Sequence, residues 1–304
     1  MKSAIHKNKG FSLVELLIAM AVASILMGLI YNTYQAQQKS YTSQNLAVEM
    51  QQNIRAAMSL MKREIRMAGY DPLEVGSDGI DNDGINGVDD PGESSGIIAA
   101  AGNFIQFSFD QFSVDIIDPD YDPNGATTEW DEILHYGFTT GDGDLDGIAD
   151  DGAESLSRID ANGGRTEVIA YDIQGIAFAY AFDDDGTLQL DTTATAGGND
   201  NVIWAIDTDN DGFLDTVLDT NDDGLIDASD TQGGVDLVPA FWPNTVPIHN
   251  IRAVRIWMLA RSRAPIRGFS DNNTYVVGAA RVNSSDGFQR RLLVDTVNCR
   301  NMGL

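Results

Sequence analysis

The residues in this sequence best suited to chemistry are aspartates set at alternate positions ahead of a glycine. Asp207, Asp209, Asp211, Gly212 and Asp215 form one such run; directly beyond it Asp219, Asn221, Asp223, Gly224 and Asp227 form another, which closes on Asp230. This is the D-x-[DN]-x-[DN]-G opening of a calcium loop. Side chains at places one, three and five converge on one ion, and the glycine at six permits a sharp turn. The carbonyl at seven and groups at nine and twelve complete an oxygen shell. Leu218 stands at place twelve of the first run, so that loop either borrows Asp219 or stays incomplete. Asp230 reaches less far than the usual glutamate, which favours weak, extracellular-type affinity.

Asp142, Asp144, Asp146, Gly147 and Asp150 fit the first nine places of a third loop, with Asp151 and Glu154 as possible completions. Asp78, Asp81, Asp83, Gly84, Asp89 and Asp90 have the right chemistry with the first ligand out of step. Neither loop of the 207–230 tandem has flanking helices, which argues for a structural Ca2+ rather than a sensor. The competing reading of any such run is a solvated, flexible insertion. Crowded carboxylates repel unless a divalent ion neutralises them. Cys299 is the single cysteine, so no intramolecular disulfide can form, and metal is the staple available to the chain.

A second residue of chemical interest is Glu15. It interrupts an apolar stretch over residues 10–30, GFSLVELLIAMAVASILMGLI, long enough to cross the roughly 30 Å hydrocarbon core of a bilayer. Lys2, Lys7 and Lys9 precede it with no acid among them, which favours an N-terminus left in the cytoplasm. A carboxylate inside such a helix costs a few kcal/mol on insertion scales and therefore points to a partner; the alternative is that Glu15 complements the helix dipole in the first turn. An ordinary secretory signal cut at Ala19-Met20-Ala21 or Ala21-Val22-Ala23 is the rival reading. The apolar run continues past both cuts to Ile30, and Glu15 would lie in the h-region.

Lys9-Gly10-Phe11-Ser12-Leu13-Val14-Glu15-Leu16 resembles the processing signal of type IV prepilins. The resemblance implies a leader, residues 1–10, cut by a prepilin peptidase between Gly10 and Phe11, with Phe11 methylated on its new amine. It also implies that Glu15 meets such an amine on a neighbouring subunit during filament assembly, which makes correct register the condition for burying the acid. Met61-Lys62-Arg63-Glu64-Ile65-Arg66-Met67-Ala68-Gly69-Tyr70 resembles the helix end of PilW-type minor pilins, relatives of the J minor pseudopilins of type II secretion. Arg290-Arg291-Leu292-Leu293 and Thr296-Val297-Asn298-Cys299-Arg300-Asn301 resemble the closing strand of that group. Many pilins close a C-terminal loop with a disulfide, and this chain departs from that pattern.

The elements that must position these residues follow from periodicity. Residues 12–68 hold no proline and only Gly28, which predicts one long helix, 11–69, whose first part, 11–30, is transmembrane. Leu46, Met50, Ile54, Ala57, Met61, Ile65 and Ala68 make an apolar stripe on its later part, and Gly69 with Pro72 beyond is a stop. Alternating β-branched and aromatic runs at 104–109, 133–138, 167–173, 176–182, 251–261, 274–282 and 290–297 predict strands. The expected fold is α+β, pilin-like: the long helix packed on an antiparallel β-sheet head, 70–304, with acidic insertions at 71–100, 139–165 and 183–240.

Charge and motifs exclude much else. The net charge is −27. Of the 46 acids only Glu15, Glu49 and Glu64 precede residue 70, and only Asp271, Asp286 and Asp295 follow residue 251. Such a head repels polyanions, so no nucleic acid is expected as partner, and alternating arginines near the end read as a solvated strand face. Gly92-Glu93-Ser94-Ser95-Gly96 spells G-x-S-x-G in an acidic loop rather than at a strand-to-helix turn. His135 and His249 lack zinc-spaced companions. The sequence therefore predicts a non-enzymatic minor pilin anchored in the inner membrane with its head outside the cytoplasm. Its partners would be other minor and major pilins and the assembly platform, and it would prime or cap a type IV pilus. A minor pseudopilin of a type II secretion system and a calcium-dependent surface adhesin are the alternatives.

Overall fold

The computed structural model describes residues 12–70, 96–109, 133–160, 164–194, 197–237 and 246–302. The leader with Gly10 and Phe11, the acidic run 78–90 and Ser94 of the G-x-S-x-G string lie outside the described residues. The chain divides after Val48 into two compact units.

Described residues of the first unit belong to helix α1, Leu13–Ile65, 53 residues in all and about 80 Å long at 1.5 Å per residue. Nothing interrupts it, because its one glycine, Gly28, sits in open space and the stretch lacks proline. Residues 13–30 are exposed and apolar on every side. The helix is long and apolar enough to cross a membrane.

The second unit begins with the last turns of α1. Met50, Ile54, Ala57, Met58, Met61 and Ile65 are buried there, which is the predicted stripe with Met58 added. α1 ends at Ile65, short of the expected boundary at 69, and turns lead from there to Gly69, at φ +75°. Two polar clamps fix this part of the helix to the strands. Glu64 accepts hydrogen bonds from the Tyr136 hydroxyl and, at 3.0 Å, from Arg158 Nε. Lys62 Nζ lies 2.5 Å from Asp295 Oδ2.

The strands are antiparallel. β1 (Ile97–Ala99), β2 (Ile105–Ser108), β3 (Ile133–Phe138), β4 (Glu154–Asp160) and β5 (Thr166–Phe182) follow one another in the sheet. The runs read separately as 167–173 and 176–182 are one 17-residue strand, β5. β4 arises inside the segment 139–165, which the sequence suggested to be an insertion, because Leu156 and Ser157 are buried against the sheet. Short pieces follow: β6 (Ala205–Ile206), β7 (Phe213–Leu214), β8 (Thr216–Val217), β9 (Val235–Asp236) and β10 (Val246–Pro247). β11 (Ile251–Arg261) then pairs with β5 along its later half, and β14 (Arg290–Asn298) pairs with β11. Between them β12 (Thr274–Val277) and β13 (Ala280–Asn283) form a hairpin, where the sequence suggested a single strand.

β5 is the hub. Its first half pairs with β4, its second with β11, and Tyr180 pairs with Ala205 of β6. Its bulky and methyl side chains alternate, and Ala177, Ala179 and Ala181 are as buried as Ile176, Phe178 and Tyr180. Layers cover the sheet on both sides here.

The far end of the sheet is pinned by a buried ion cluster. Arg290 Nη1 lies 3.2 Å from Asp271 Oδ2 and 2.7 Å from Asp286 Oδ1, and Arg290 Nε donates to Gln174 Oε1 at 2.6 Å. The Arg290 and Asp271 side chains are 2% and 1% exposed. The Arg290 hydrogen bond holds the Asp286 carboxyl below its ordinary range. A depressed carboxyl contributes stability above its unfolded value of about 4 and loses it as pH falls through the folded value. We expect Arg290→Met, which strands Asp271 without its cation, to cost about 3–5 kcal/mol. Urea unfolding followed by tryptophan fluorescence reads this, since all four tryptophans lie beyond residue 70. The variant should also lose the acid-side fall in stability that this pair gives the natural chain.

Candidate functional site

Each acidic loop begins with an aspartate that accepts two backbone N–H groups. In the 207 loop, Asp207 Oδ1 accepts from Asp211 N at 3.3 Å and Oδ2 from Gly212 N at 3.0 Å. In the 219 loop, Asp219 takes the same bonds from Asp223 N at 3.2 Å and Gly224 N at 2.8 Å. Asp142 takes them from Asp146 N and Gly147 N, both at 3.1 Å. The turn that delivers these N–H groups needs positive φ at places four and six: Leu145 and Gly147, Asn210 and Gly212, Asp222 and Gly224. Glycine at six is thus a backbone requirement, and asparagine and aspartate at four tolerate the same region better than most residues.

The structure adds a loop that the sequence reading missed. Asp183 accepts from Thr187 N at 3.0 Å and Leu188 N at 2.9 Å, with Gly186 and Leu188 at positive φ. It follows β5 directly, and Asp185 and Asp191 take places three and nine. Places one, three and nine were present, but Thr187 stands at five and Leu188 at six where the motif requires an acid or amide and a glycine, and Gly186 falls two places early.

The carboxylates converge as a cation site requires. Ligand oxygens of Asp142, Asp144 and Asp146 lie within 4.8 Å of one another, as do those of Asp183, Asp185 and Asp191, and of Asp207, Asp209 and Asp215. In the 219 loop Asn221 replaces the middle acid. Its Nδ2 donates to Asp223 Oδ2 at 3.2 Å, and Asp230 closes the loop by accepting from Thr220 N at 2.7 Å and Asp227 N at 2.8 Å. In the other loops the residue at nine does this work: Asp150 accepts from Gly143 N at 2.7 Å, and Asp191 from Asp184 N at 2.8 Å. Asp215 Oδ2 accepts from the Thr208 hydroxyl at 2.7 Å, while Asp215 Oδ1 is buried with no hydrogen-bond partner. A buried carboxylate oxygen left unpaired is costly, and a cation would satisfy it.

Electrostatics agree. Burial pushes Asp142, Asp207 and Asp219 above the ordinary carboxyl range despite the N–H groups they accept. Burial, with Asp185, Asp183 and Asp184 adding repulsion, pushes Asp191 up to about 6. Asp219 opens its own loop, where it accepts from Asp223 N and Gly224 N. Glu154 lies in β4 with its carboxyl against Gly141, next to Asp142, and Asp151 is exposed. Leu218, at place twelve of the 207 loop, is 2% exposed in the core.

Glu15 stands near the start of α1, and Ser12 N donates to its Oε2 at 3.4 Å. His135 stacks on Phe104 with ring centroids 4.8 Å apart, and burial lowers its pKa. The arginines suggested to form a solvated face are half-buried instead: the Arg255 guanidinium lies 4.0 Å from the Trp204 ring centre, and that of Arg261 lies 4.2 Å from the ring centre of Phe288.

Residues 5–31 match the prokaryotic N-terminal methylation motif, so the N-terminus carries a prepilin-type signal, joined to an α+β chain. Among solved structures the chain is similar to the type IV-like pilin TTHA1219 from Thermus thermophilus. That likeness has 12% identity and a TM-score of 0.38, and covers 83% of this chain and 97% of that one. No curated protein matches the chain.

Two glycines at place six separate the turn from the scaffold. A Cβ on Gly212 would meet nothing within 4 Å, whereas one on Gly147 would lie 2.3 Å from the Ile176 carbonyl oxygen. Gly212→Ala should cost only the left-handed penalty, about 1–2 kcal/mol. Gly147→Ala must also push the 142 loop off β5 and should cost at least about twice that. Equal losses in urea unfolding would refute this attachment.

Proposed function

We propose that the chain is a minor pilin of PilW type, incorporated into a type IV pilus through its N-terminal helix to prime or cap assembly. The observation that carries this reading is the methylation motif running into a helix that is apolar on every side but for Glu15. Prepilin peptidase cuts between Gly10 and Phe11. The anchored precursor waits in the inner membrane with its head outside the cytoplasm, and the assembly platform passes it to sister pilins. Glu15, which among the described residues makes a long side-chain bond to Ser12 N, pairs with the amine of a neighbouring subunit. A large head with several acidic loops suits a low-copy subunit better than a repeating one.

Calcium in the 142, 183, 207 and 219 loops is part of the same proposal. The unpaired Asp215 oxygen and the three carboxylate trios support it. The ion acts as a structural staple: it neutralises oxygens that otherwise repel, in a chain that cannot form an intramolecular disulfide.

Mass spectrometry of natively produced protein should show a chain starting at methylated Phe11; retention of Lys9 and Gly10, or a start beyond Ala21, would sink the pilin reading. Glu15→Ala should remain in membranes at its normal level and vanish from sheared filaments. Calcium at a hundredfold excess over its dissociation constant should add about 2.7 kcal/mol per site. A melting temperature that is the same in calcium and in excess chelator would count against the metal.

A further inference from the structure

Between the 142 and 207 loops lies a cleft of about 690 Å³, open at one side and closed by the β12–β13 hairpin. Its floor is built from small and apolar groups, among them Ala177 of β5 and Phe104. Its rim carries Asp146, Asp209, Asn210 and Gln232, and none of its lining residues is Lys, Arg or His. That volume falls within the range of small-ligand sites, about 300–1,000 Å³, and the mix of apolar floor and few polar groups is typical of them.

The loops beside it are short of oxygens. Calcium takes 6–8 oxygen ligands, and place twelve, where a bidentate acid normally sits, is held by buried Leu218 in the 207 loop and by Ala153 in the 142 loop. Asp207 and Asp209 themselves line the cleft, so a ligand seated in it lies beside carboxylates of the 207 loop. Asp215, whose Oδ1 is buried and unpaired, belongs to the same carboxylate trio.

We propose that the cleft binds a neutral polyhydroxylated ligand, a glycan whose adjacent hydroxyls complete the shell of calcium held by the 207 loop. Two neighbouring hydroxyls offer two oxygens at a short bite without adding negative charge to a chain of net charge −27. The amides of Asn210 and Gln232 can donate to or accept from the remaining hydroxyls, and the C–H face of a sugar packs on the alanine floor and Phe104. A cationic ligand would have to displace calcium from its carboxylates, and an anionic one would meet the acidic rim. The inference rests on the calcium reading above.

The test uses the full mature chain in an amine-oxide detergent, because a glycoside detergent would compete. Immobilised mannose-, fucose- and galactose-terminated oligosaccharides are the probes, with sialylated and oligolysine surfaces as comparators, and calcium uptake is measured separately by calorimetry. The expected result is retention on a neutral glycan that weakens at least about tenfold in chelator. Ala279→Trp, which fills the cleft, should weaken it by a similar factor with calcium uptake unchanged. Gln232→Ala is the milder variant should the tryptophan disturb folding. Calcium uptake without neutral-glycan retention would overturn the glycan and leave the metal standing. Absence of calcium uptake would overturn both. Retention on oligolysine or sialylated surfaces alone, or neutral retention indifferent to chelator, would likewise overturn the proposal.

Discussion

The head is organised by an edge of backbone that has to be satisfied. β4 leaves β5 at Ile173, and from there the β4-side edge of β5 runs through the core with polar groups that would be costly to bury unpaired. No long strand takes over. Ala149 N donates to the Gln174 carbonyl, Ile176 N to the Gly147 carbonyl, and Phe178 N to the Gly102 carbonyl, each at 2.9 Å. The partner of a core strand is thus the rim of an acidic loop. β6 resumes the edge at Tyr180, and the 207 loop follows from it, with Asp207 N donating to the Ala100 carbonyl. The 183 loop starts where β5 stops.

This explains why loops so rich in charge are ordered. An acidic insertion on a flexible tether would stay solvated, since the entropy of fixing it has no return. Here the 142 loop cannot loosen without exposing the edge of β5, and the tight fit of Gly147 against Ile176 shows how closely the two are joined. The place-one aspartates are held in the same way, each bound by two N–H groups of its own turn and largely removed from water. Preorganised and partly desolvated, they bear the repulsion before any cation arrives, which is the condition under which a cation stabilises most.

Much of this was legible in the residues. The helix, its apolar stripe and its stop near Gly69 follow from periodicity, and the 142, 207 and 219 loops from aspartate spacing with glycine at six. The 183 loop was not, because Leu188 adopts by tertiary constraint a conformation the motif assigns to glycine, and no local rule allows for that. β4 was hidden by its acidic neighbours, since Glu154 and Asp160 frame only a few buried positions. Nor could one sequence show what covers β5: bulky groups lie on one side and methyls on the other, and the small side chains let another layer approach, as Gly278 does at Ala177.

The uneven charge along the chain has its counterpart in space. Three arginines of the last fifty residues are drawn inward: Arg290 between Asp271 and Asp286, Arg255 against Trp204, Arg261 against Phe288. Guanidinium suits these places because it stacks on aromatic faces and makes several directed hydrogen bonds at once. Cys299 is buried, and burial pushes its thiol up to about 12, so it stays an inert packing group. With these cations engaged inside the sheet region, Asp142, Asp144, Asp207 and Asp209 make no ion pair with a Lys or Arg among the described residues. On the calcium reading proposed above, their neutralisation falls to divalent ions from solution.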